Sequence, residues 1–273
     1  MPTVNVNGID IHTQVLGEKG PLIFMCHGLV SGSVATWYFK FAPELAKNYR
    51  VVLYDMRGHG KSEKTATGFD LDTMANDLAC LITHYQREYQ LENKPYSIVG
   101  HSFGALVALH YSLALRLQRD EAATNTSLKN NHPYSLVIID APLPASTFIY
   151  PSMKEILNPQ SVESLTQLLM LQLNMQGERR RKNLQSQLEY LYLESSLKQD
   201  IAATKDVSDE DLASLTMPVK LIYGKDSDCY HIGERLAGLL PKAKLKTLNC
   251  GHYIPIEQPD QLAVELNEFF DIR

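Results

Sequence analysis

The stretch Ser97-Ile98-Val99-Gly100-His101-Ser102-Phe103-Gly104-Ala105-Leu106-Val107-Ala108-Leu109 joins an apolar β-type run to an apolar helical run with almost no loop between them. Its centre reads G-x-S-x-G, the pattern of a nucleophile elbow, in which a very tight turn holds a serine in a strained backbone conformation. Side chains two positions before and after the serine would collide, so glycine is needed at both places. We expect the Ser102 hydroxyl at the tip of a sheet, with the Phe103 N–H at the start of a helix facing a developing oxyanion.

The rest of the chain alternates short apolar runs with segments of helical spacing, which is typical of an α/β protein with a mostly parallel sheet. Continuous apolar runs indicate strands that are buried on both faces. We expect a hairpin around Asn7-Gly8, strands near 21–26, 51–54, 96–99, 136–139, 219–223 and 245–248, and helices near 36–46, 71–89, 105–111, 232–240 and 259–270. Ligands of such sheets bind beyond the carboxyl ends of the strands, so the residues that follow the strands are the candidates for chemistry.

Composition restricts the function classes. The chain has 273 residues, of which 44% are hydrophobic and 21% charged, an ordinary globular balance. Its formal net charge of −5 gives no support to nucleic-acid binding, and no apolar stretch is long enough to span a bilayer. The N-terminus lacks the form of a signal peptide, and the cysteines (Cys26, Cys80, Cys229 and Cys250) have no C-x-x-C spacing. We therefore expect a cytoplasmic protein with reduced thiols and no metal site.

The alternation stops between residues 142 and 216. This segment has helical patterns rich in Leu, Met and Tyr and contains no buried-strand run. We expect a helical insertion that lies over the carboxyl edge of the sheet. Residues 119–132 are polar and rich in Asn, and we expect a surface loop there with no assigned role.

A serine hydroxyl becomes a good nucleophile only when a base takes its proton, so Ser102 requires a histidine. His252 is the candidate, because it follows the last strand and the glycine before it allows a tight turn back over the sheet edge. The His101 side chain is expected to point away from the serine hydroxyl. His27 is expected to hold the loop that follows the first buried strand, and His59 to belong to a turn.

The oxyanion of an acyl-transfer reaction needs two N–H donors. We assign one to the backbone of Phe103 and the other to the backbone of Leu29, directly after His27-Gly28. Backbone donors leave no side-chain signature, so the assignment rests on position.

Four pieces of the sequence resemble the α/β-hydrolase superfamily in the expected order: H-G at 27–28, D-M-R-G-H-G-K-S at 55–62, G-H-S-F-G at 100–104 and G-H-Y-I-P-I-E-Q-P at 251–259. The resemblance implies an eight-stranded, mostly parallel sheet with helices on both faces and a Ser–His–acid triad. It divides the chain into a hydrolase core, residues 1–141 and 217–273, and a helical cap inserted after the sixth strand, residues 142–216.

The triad acid departs from the family's usual pattern. Members usually carry it three residues beyond the glycine that ends the seventh strand, where this chain has Ser227, flanked by Asp226 and Asp228. The family's other place for the acid is the end of the sixth strand, where this chain has Asp140. We favour Asp140 over Asp228, and the choice stays open at this point.

Asp55 is another acidic residue at the end of a buried strand. It begins the D-x-R-G-x-G-x-S run at residues 55–62. We expect it to hold a turn through Arg57 and to take no direct part in the chemistry.

The leading hypothesis is hydrolysis of a carboxylic ester or thioester with a small apolar acyl group, free or bound to a carrier. Serine at the elbow argues against the dehalogenase and epoxide-hydrolase branches of the family, which resemble this chain but place Asp there. A lactonase, a C–C bond hydrolase and an acyltransferase remain alternatives with the same triad, and a non-catalytic small-molecule receptor is an alternative of another class. No cofactor or metal is called for, and the oligomeric state is not readable.

Overall fold

An eight-stranded sheet forms the centre of the protein, for which the computed structural model describes residues 2–121, 132–142, 161–205 and 207–271. The strand order is β1-β2-β4-β3-β5-β6-β7-β8. The pairs β1–β2 and β2–β4 are antiparallel, and the other five pairs are parallel. The predicted eight-stranded, mostly parallel sheet is therefore confirmed.

The strands are β1 Thr3–Val6, β2 Ile9–Leu16, β3 Leu22–Cys26, β4 Arg50–Tyr54, β5 Tyr96–His101, β6 Ser135–Ile139, β7 Val219–Gly224 and β8 Ala243–Leu248. The helices of the described residues are α1 Ala35–Tyr38, α2 Ala42–Leu45, α3 Leu71–Glu88, α4 Phe103–Glu121, α5 Val162–Gln172, α6 Glu178–Glu189, α7 Leu197–Ala203, α8 Asp209–Ala213, α9 Tyr230–Leu239, α10 Ile254–Glu257 and α11 Pro259–Asp271. A π-helical turn, Tyr190–Glu194, follows α6 directly.

The apolar runs of the sequence become the strands at the centre of the sheet. Every residue of β3, β5 and β6 is buried, because helices cover both faces. Alternate side chains of these strands belong to two apolar cores, one on each face, as the two-residue period of a strand requires. The β1–β2 hairpin turns at Asn7 and Gly8, whose φ angles of 51° and 80° fit the predicted Asn-Gly turn.

The predicted helix over residues 36–46 is wrong in detail, because the structure has two short helices there, α1 and α2. Pro43 lies in the first turn of α2. A proline lacks the N–H that a continuous helix would use at this point, and its ring would clash with the preceding turn.

Helices α5–α8 and the π-helical turn lie between β6 and β7, and we call them the helical segment. They fall inside the predicted insertion at 142–216, of which residues 143–160 and 206 lie outside the described residues. Helix α4 extends to Glu121, so it includes the beginning of the predicted loop at 119–132, and residues 122–131 of that loop also lie outside the described residues. In the chain as described, no helix combines the length and apolar character that a bilayer span requires.

The parallel register brings the ends of five strands, β3 and β5 to β8, to one edge of the sheet. Cys26 of β3 pairs with Gly100 of β5, and Gly100 pairs with Ile138 of β6. On the other side of β6, Ile139 pairs with Ile222 of β7. Gly224 of β7 pairs in turn with Leu248 of β8. The residues that follow β5, β6 and β8 therefore meet at this edge.

Candidate active site

Ser102 occupies the sharp turn between β5 and α4. Its φ is +53°, in the left-handed region that a non-glycine residue rarely adopts. A Cβ added at Gly100 would lie 2.5 Å from the Ala105 Cα, and one added at Gly104 would lie 2.4 Å from the His27 carbonyl oxygen. Backbone contacts this close cannot be relieved by a rotamer change, so both glycines are needed to form the turn.

Two hydrogen bonds join Ser102, His252 and Asp140 across 150 residues of sequence. The Ser102 Oγ lies 2.8 Å from His252 Nε2, and His252 Nδ1 lies 2.7 Å from Asp140 Oδ2. A carboxylate accepts hydrogen bonds and does not donate them, so Nδ1 carries the imidazole proton. His252 Nε2 is then free to accept the serine proton.

Asp140 is fully buried and receives hydrogen bonds on both carboxylate oxygens. The Gly224 N–H donates to Oδ1 at 2.9 Å, and the Ser227 hydroxyl donates to Oδ2 at 2.5 Å. Asp226 and Asp228, the other two predicted acids, are exposed on either side of Ser227. Of the three acids predicted from the sequence, the structure brings Asp140 to His252.

The backbone around His252 is held by two side chains that the sequence did not reveal. The carboxylate of Glu257 accepts the N–H groups of Gly251 and Tyr253 at 2.8 and 3.0 Å. His101 Nε2 donates to the His252 carbonyl oxygen at 3.0 Å. Glu257 lies within the motif 251–259, so the sequence contained a signal for it, whereas the contact of His101 joins residues 151 positions apart.

The loop after β3 contains Leu29, the second predicted oxyanion donor, which lines the same cavity as Ser102 and Phe103. Phe103 is the first residue of α4, where backbone N–H groups have no partner within the helix. In the loop, Val30 has a φ of +70°, which is strained for a β-branched residue. The Val30 N–H donates to His59 Nε2 at 3.0 Å, which holds the loop in this conformation.

His27 and His59 support this loop from below, with ring centroids 5.3 Å apart. His27 Nε2 accepts the Met56 N–H at 2.9 Å, and Nδ1 donates to the Gly28 carbonyl at 2.7 Å. His59 Nδ1 likewise donates to the Arg57 carbonyl at 2.9 Å. His27 therefore ties the loop together, and His59 does more than the turn position predicted.

These buried histidines are held in the neutral form. Burial lowers the pKa of His27. Burial, followed by the neighbouring histidine, lowers the pKa of His59 and that of His101 to about 3 each. A neutral imidazole keeps one nitrogen able to accept a backbone N–H, and protonation would remove that acceptor.

The expected link between Asp55 and Arg57 is wrong. The Arg57 guanidinium forms a buried two-pronged ion pair with Asp77, at 2.7 and 2.8 Å. Asp55 instead accepts the N–H groups of Val34 and Lys61 at 2.6 and 2.9 Å. The other contact of Asp55 is a hydrogen bond to a histidine of β2. Its two backbone N–H donors belong to different loops, so Asp55 holds these loops together without Arg57. The sequence spacing of 55 and 57 gave no sign of the partner on α3.

A cavity of about 420 Å³ opens at Ser102 and His252. The helical segment contributes apolar surface to it, and the loop after β3 contributes small polar residues. Its wall from the helical segment consists of Leu169, Tyr192 and Ile201. Tyr192 belongs to the π-helical turn, which is anchored because the Tyr190 hydroxyl both accepts the Thr65 N–H and donates to the Thr65 carbonyl, each at 2.8 Å.

All four cysteines are free thiols, and three of them are buried. Burial raises the pKa of Cys26 and of Cys250 to about 12, so neither is a nucleophile near neutral pH. Cys229 also has a raised pKa, first because of burial and then because of the Asp140 charge. Its Sγ lies 4.0 Å from His252 Nδ1.

Comparison with known proteins agrees with this architecture. The sequence profile of the alpha/beta hydrolase family matches residues 23–266. The soluble epoxide hydrolase of Corynebacterium sp. (strain C12) is 34% identical over 109 residues, which is 39% of this chain and 34% of that protein. The matched segment thus spans about a third of that relative's length.

Solved structures match over nearly the whole chain. An esterase from Exiguobacterium antarcticum is 20% identical with a TM-score of 0.72, and the match covers 98% of each chain. The enol-lactonase from Burkholderia xenovorans LB400 is 18% identical with a TM-score of 0.70, covering 99% of this chain and 100% of that one. At these identities the likeness demonstrates the fold, and the predicted fold is confirmed.

Proposed function

Because the chain belongs to the alpha/beta hydrolase family, we propose that it is a serine hydrolase that cleaves a carboxylic ester or thioester of a small apolar acyl group. The observation that carries the proposal is the unbroken line of hydrogen bonds from the Ser102 hydroxyl through His252 to Asp140. This line ends at the wall of a cavity large enough for a small ligand.

In the first half of the reaction, Ser102 Oγ attacks the carbonyl carbon while His252 Nε2 takes the serine proton. The tetrahedral intermediate carries its negative charge on the former carbonyl oxygen, which the N–H groups of Leu29 and Phe103 stabilise. His252 then gives its proton to the leaving alcohol or thiol, and the acyl group remains on Ser102 as an ester.

In the second half, water replaces the leaving group. His252 Nε2 takes a proton from water, the hydroxide attacks the acyl carbon, and the proton returns to Ser102 as the carboxylic acid leaves. Throughout, Asp140 keeps the imidazole proton on Nδ1 and stabilises the imidazolium that forms twice in each cycle. The hydrogen bonds from Gly224 and Ser227 hold the Asp140 carboxylate in place for this role.

We infer that residues 142–216 act as a cap that sets the acyl specificity. Leu169, Tyr192 and Ile201 of the helical segment face the cavity, and none of them carries a charge. An apolar acyl chain gains free energy by leaving water for such a surface, by about 25 cal/mol for each Å² buried. The core, residues 1–141 and 217–273, supplies the chemistry.

A second candidate is the opening of a cyclic ester. The soluble epoxide hydrolase among the relatives shares a segment of this chain, but the residue at the elbow here is a serine. Ser102 forms an acyl ester from a carbonyl substrate, so a lactone fits this nucleophile as a linear ester does. One structural neighbour is described as an enol-lactonase, although its 18% identity transfers the fold alone.

The test is hydrolysis of a chain-length series of p-nitrophenyl esters and acyl thioesters, with simple lactones assayed in parallel. Ser102→Ala and His252→Ala are each expected to lower kcat by about 10⁴- to 10⁶-fold, because either change removes the activated nucleophile. The acyl length with the highest kcat/KM then measures the depth of the cavity. Turnover of lactones but not of linear esters favours the second candidate.

Activity that persists in Ser102→Ala contradicts the mechanism. Tight binding of an acyl ligand without turnover in the unaltered chain contradicts the hydrolase proposal itself and favours a receptor. C–C hydrolysis and acyl transfer are separated from ester hydrolysis by product analysis with a diketone and with an added alcohol.

A further inference from the structure

Three side chains come together on the side of His252 that faces away from Ser102. Cys229 Sγ lies 4.0 Å from His252 Nδ1, and Asp140 Oδ2 lies 2.7 Å from the same nitrogen. The three ligand atoms lie within 4.8 Å of one another. Among the described residues, this is the one such group of three histidine, cysteine or acidic side chains. The proposed hydrolysis makes no use of Cys229.

We propose that Cys229, His252 and Asp140 form an inhibitory binding site for a thiophilic divalent cation such as Zn²⁺ or Cd²⁺. Zinc binds thiolate sulfur at about 2.3 Å and imidazole nitrogen or carboxylate oxygen at about 2.0–2.2 Å. Ligand atoms around a tetrahedral ion are then separated by about 3.3–3.6 Å. The distance of 2.7 Å from Asp140 Oδ2 to His252 Nδ1 is below this range, and the distance of 4.0 Å from Cys229 Sγ to the same nitrogen is above it. Small side-chain movements therefore suffice to bind the ion.

The ion reaches the site from the cavity. His252 lines the cavity, and 18% of its side chain is exposed. The other two ligands lie directly behind it, buried at 1% or less exposure. Water takes the fourth position. The charges balance when the Cys229 thiol releases its proton to the solvent, because the thiolate and the Asp140 carboxylate together neutralise the divalent cation.

Binding at Nδ1 stops the proposed reaction. The metal occupies the nitrogen that carries the imidazole proton, so in the neutral ring this proton moves to Nε2. An Nε2 that carries a proton cannot accept the one from Ser102. The bound ion also takes Asp140 Oδ2 from the imidazole. Only this inhibition depends on the proposed function, since binding of the ion needs no turnover.

This site is not recognisable from the sequence. A zinc site was not expected because the cysteines lack close spacing, and the three ligands come from the ends of β6 and β8 and from the start of α9. They meet only because parallel strands end at one edge of the sheet.

The experiment titrates the purified full chain with CdCl₂ and with ZnCl₂, and it has two readouts. The first is hydrolysis of the best p-nitrophenyl ester, with each variant normalised to its own metal-free rate. The second is the ultraviolet thiolate-to-metal charge-transfer absorption of bound Cd²⁺, which requires no turnover. The variant is Cys229→Ser, and Cys250→Ser is the matched control because it removes another buried thiol outside the group.

We expect one equivalent of Cd²⁺ to produce the absorption band, and excess EDTA to restore activity. Cys229→Ser is expected to lose the band and to raise the inhibitory concentration by at least about tenfold, since even a partner outside the ligand set contributes ~10–100-fold to metal affinity. The Cys250→Ser control is expected to retain both effects.

Equal inhibition of Cys229→Ser and the unaltered chain overturns the proposal, and so does the absence of a band from the unaltered chain. If Cys229→Ser fails to fold by circular dichroism, Cys229→Ala is measured in its place with the same criteria. A band without any hydrolytic activity contradicts the proposed function and leaves the metal site standing.

Discussion

The groups on the two sides of the Ser102–His252 pair differ in charge. On the acid side, a buried carboxylate, Asp140, lies among neutral donors from the end of β7. On the oxyanion side, the loop that carries Leu29 rests on neutral histidines, of which His59 accepts a backbone N–H. The difference follows from the charges of the proposed reaction, because a positive imidazolium needs an anion beside it, whereas an oxyanion needs N–H groups held in fixed directions.

The largest effect is expected on the acid side. Asp140→Asn retains the side-chain shape but removes the charge and allows the wrong imidazole tautomer, so we expect kcat to fall by about 10⁴-fold. Steady-state kinetics with the best ester measures this change. Asp226→Asn and Asp228→Asn are the matched controls, because both acids lie within two residues of Ser227 and are exposed.

A loss of the same size in Asp228→Asn would mean that the wrong acid has been assigned. The exchange variant Asp140→Ser with Ser227→Asp sharpens the comparison further. Ser227 Oγ is only 2.5 Å from the carboxylate, so an Asp at 227 is expected to reach His252 and to recover part of the activity that Asp140→Ser loses.

The next effect is expected on the oxyanion side. His59→Phe keeps a ring but leaves the Val30 N–H without its acceptor, which costs about 1–3 kcal/mol. If the strained loop relaxes as a result, kcat falls by about 10- to 100-fold with little change in KM. His84→Phe is the control, because His84 is an exposed histidine of α3. Unchanged kcat in His59→Phe would show that the loop holds its conformation without this histidine.

A smaller effect is expected from Ser227→Ala, which removes one of the donors to Asp140 and keeps the other, from Gly224. The loss of one hydrogen bond of about 1 kcal/mol predicts a decrease in kcat of roughly fivefold. Because Ser227 acts through Asp140 and does not line the cavity, kcat is expected to fall with little change in KM. Ser227→Thr, which keeps the hydroxyl, should restore kcat.

The smallest effect at neutral pH concerns stability. The pKa of His59 in the folded protein, about 3, lies below the ordinary value of 6.5. As the pH falls, His59 is therefore protonated in the unfolded chain before it is protonated in the folded protein. The contribution of His59 to stability is present above about pH 6.5 and is lost as the pH falls toward about 3. Urea denaturation midpoints from about pH 7 to about pH 4 should decrease more in the unaltered chain than in His59→Phe. Equal slopes in the two proteins would contradict this assignment.

The sequence predicted those parts of the site that depend on local geometry. Ser102 could be recognised because the tight turn around it requires the glycines on either side. His252 could be recognised because it follows the last strand. The acid stayed open among Asp140, Asp228 and Asp226, since the deciding contacts come from residues 84 to 112 positions away from Asp140.

The role of His27 in holding the loop that carries Leu29 was predicted, but the role of His59 was not, for the same reason. The Val30 N–H and the His59 ring are 29 residues apart, and no sequence pattern indicates that they are in contact. The Arg57–Asp77 pair likewise joins a loop to α3 across 20 residues. Strand and helix periodicity reports which face of an element is buried, and it does not report which polar groups meet across elements.

The π-helical turn at Tyr190–Glu194 has a consequence for how the lining of the cavity can change during evolution. A turn of this kind holds one residue more than an α-helical turn, and it presents Tyr192 to the cavity. Loss of a single residue here would restore α-helical geometry and rotate the following side chains by about 100° around the axis. One codon deletion would thus exchange the side chain that faces the cavity, a larger step than most point mutations provide, while Ser102 and its partners in the core stay in place.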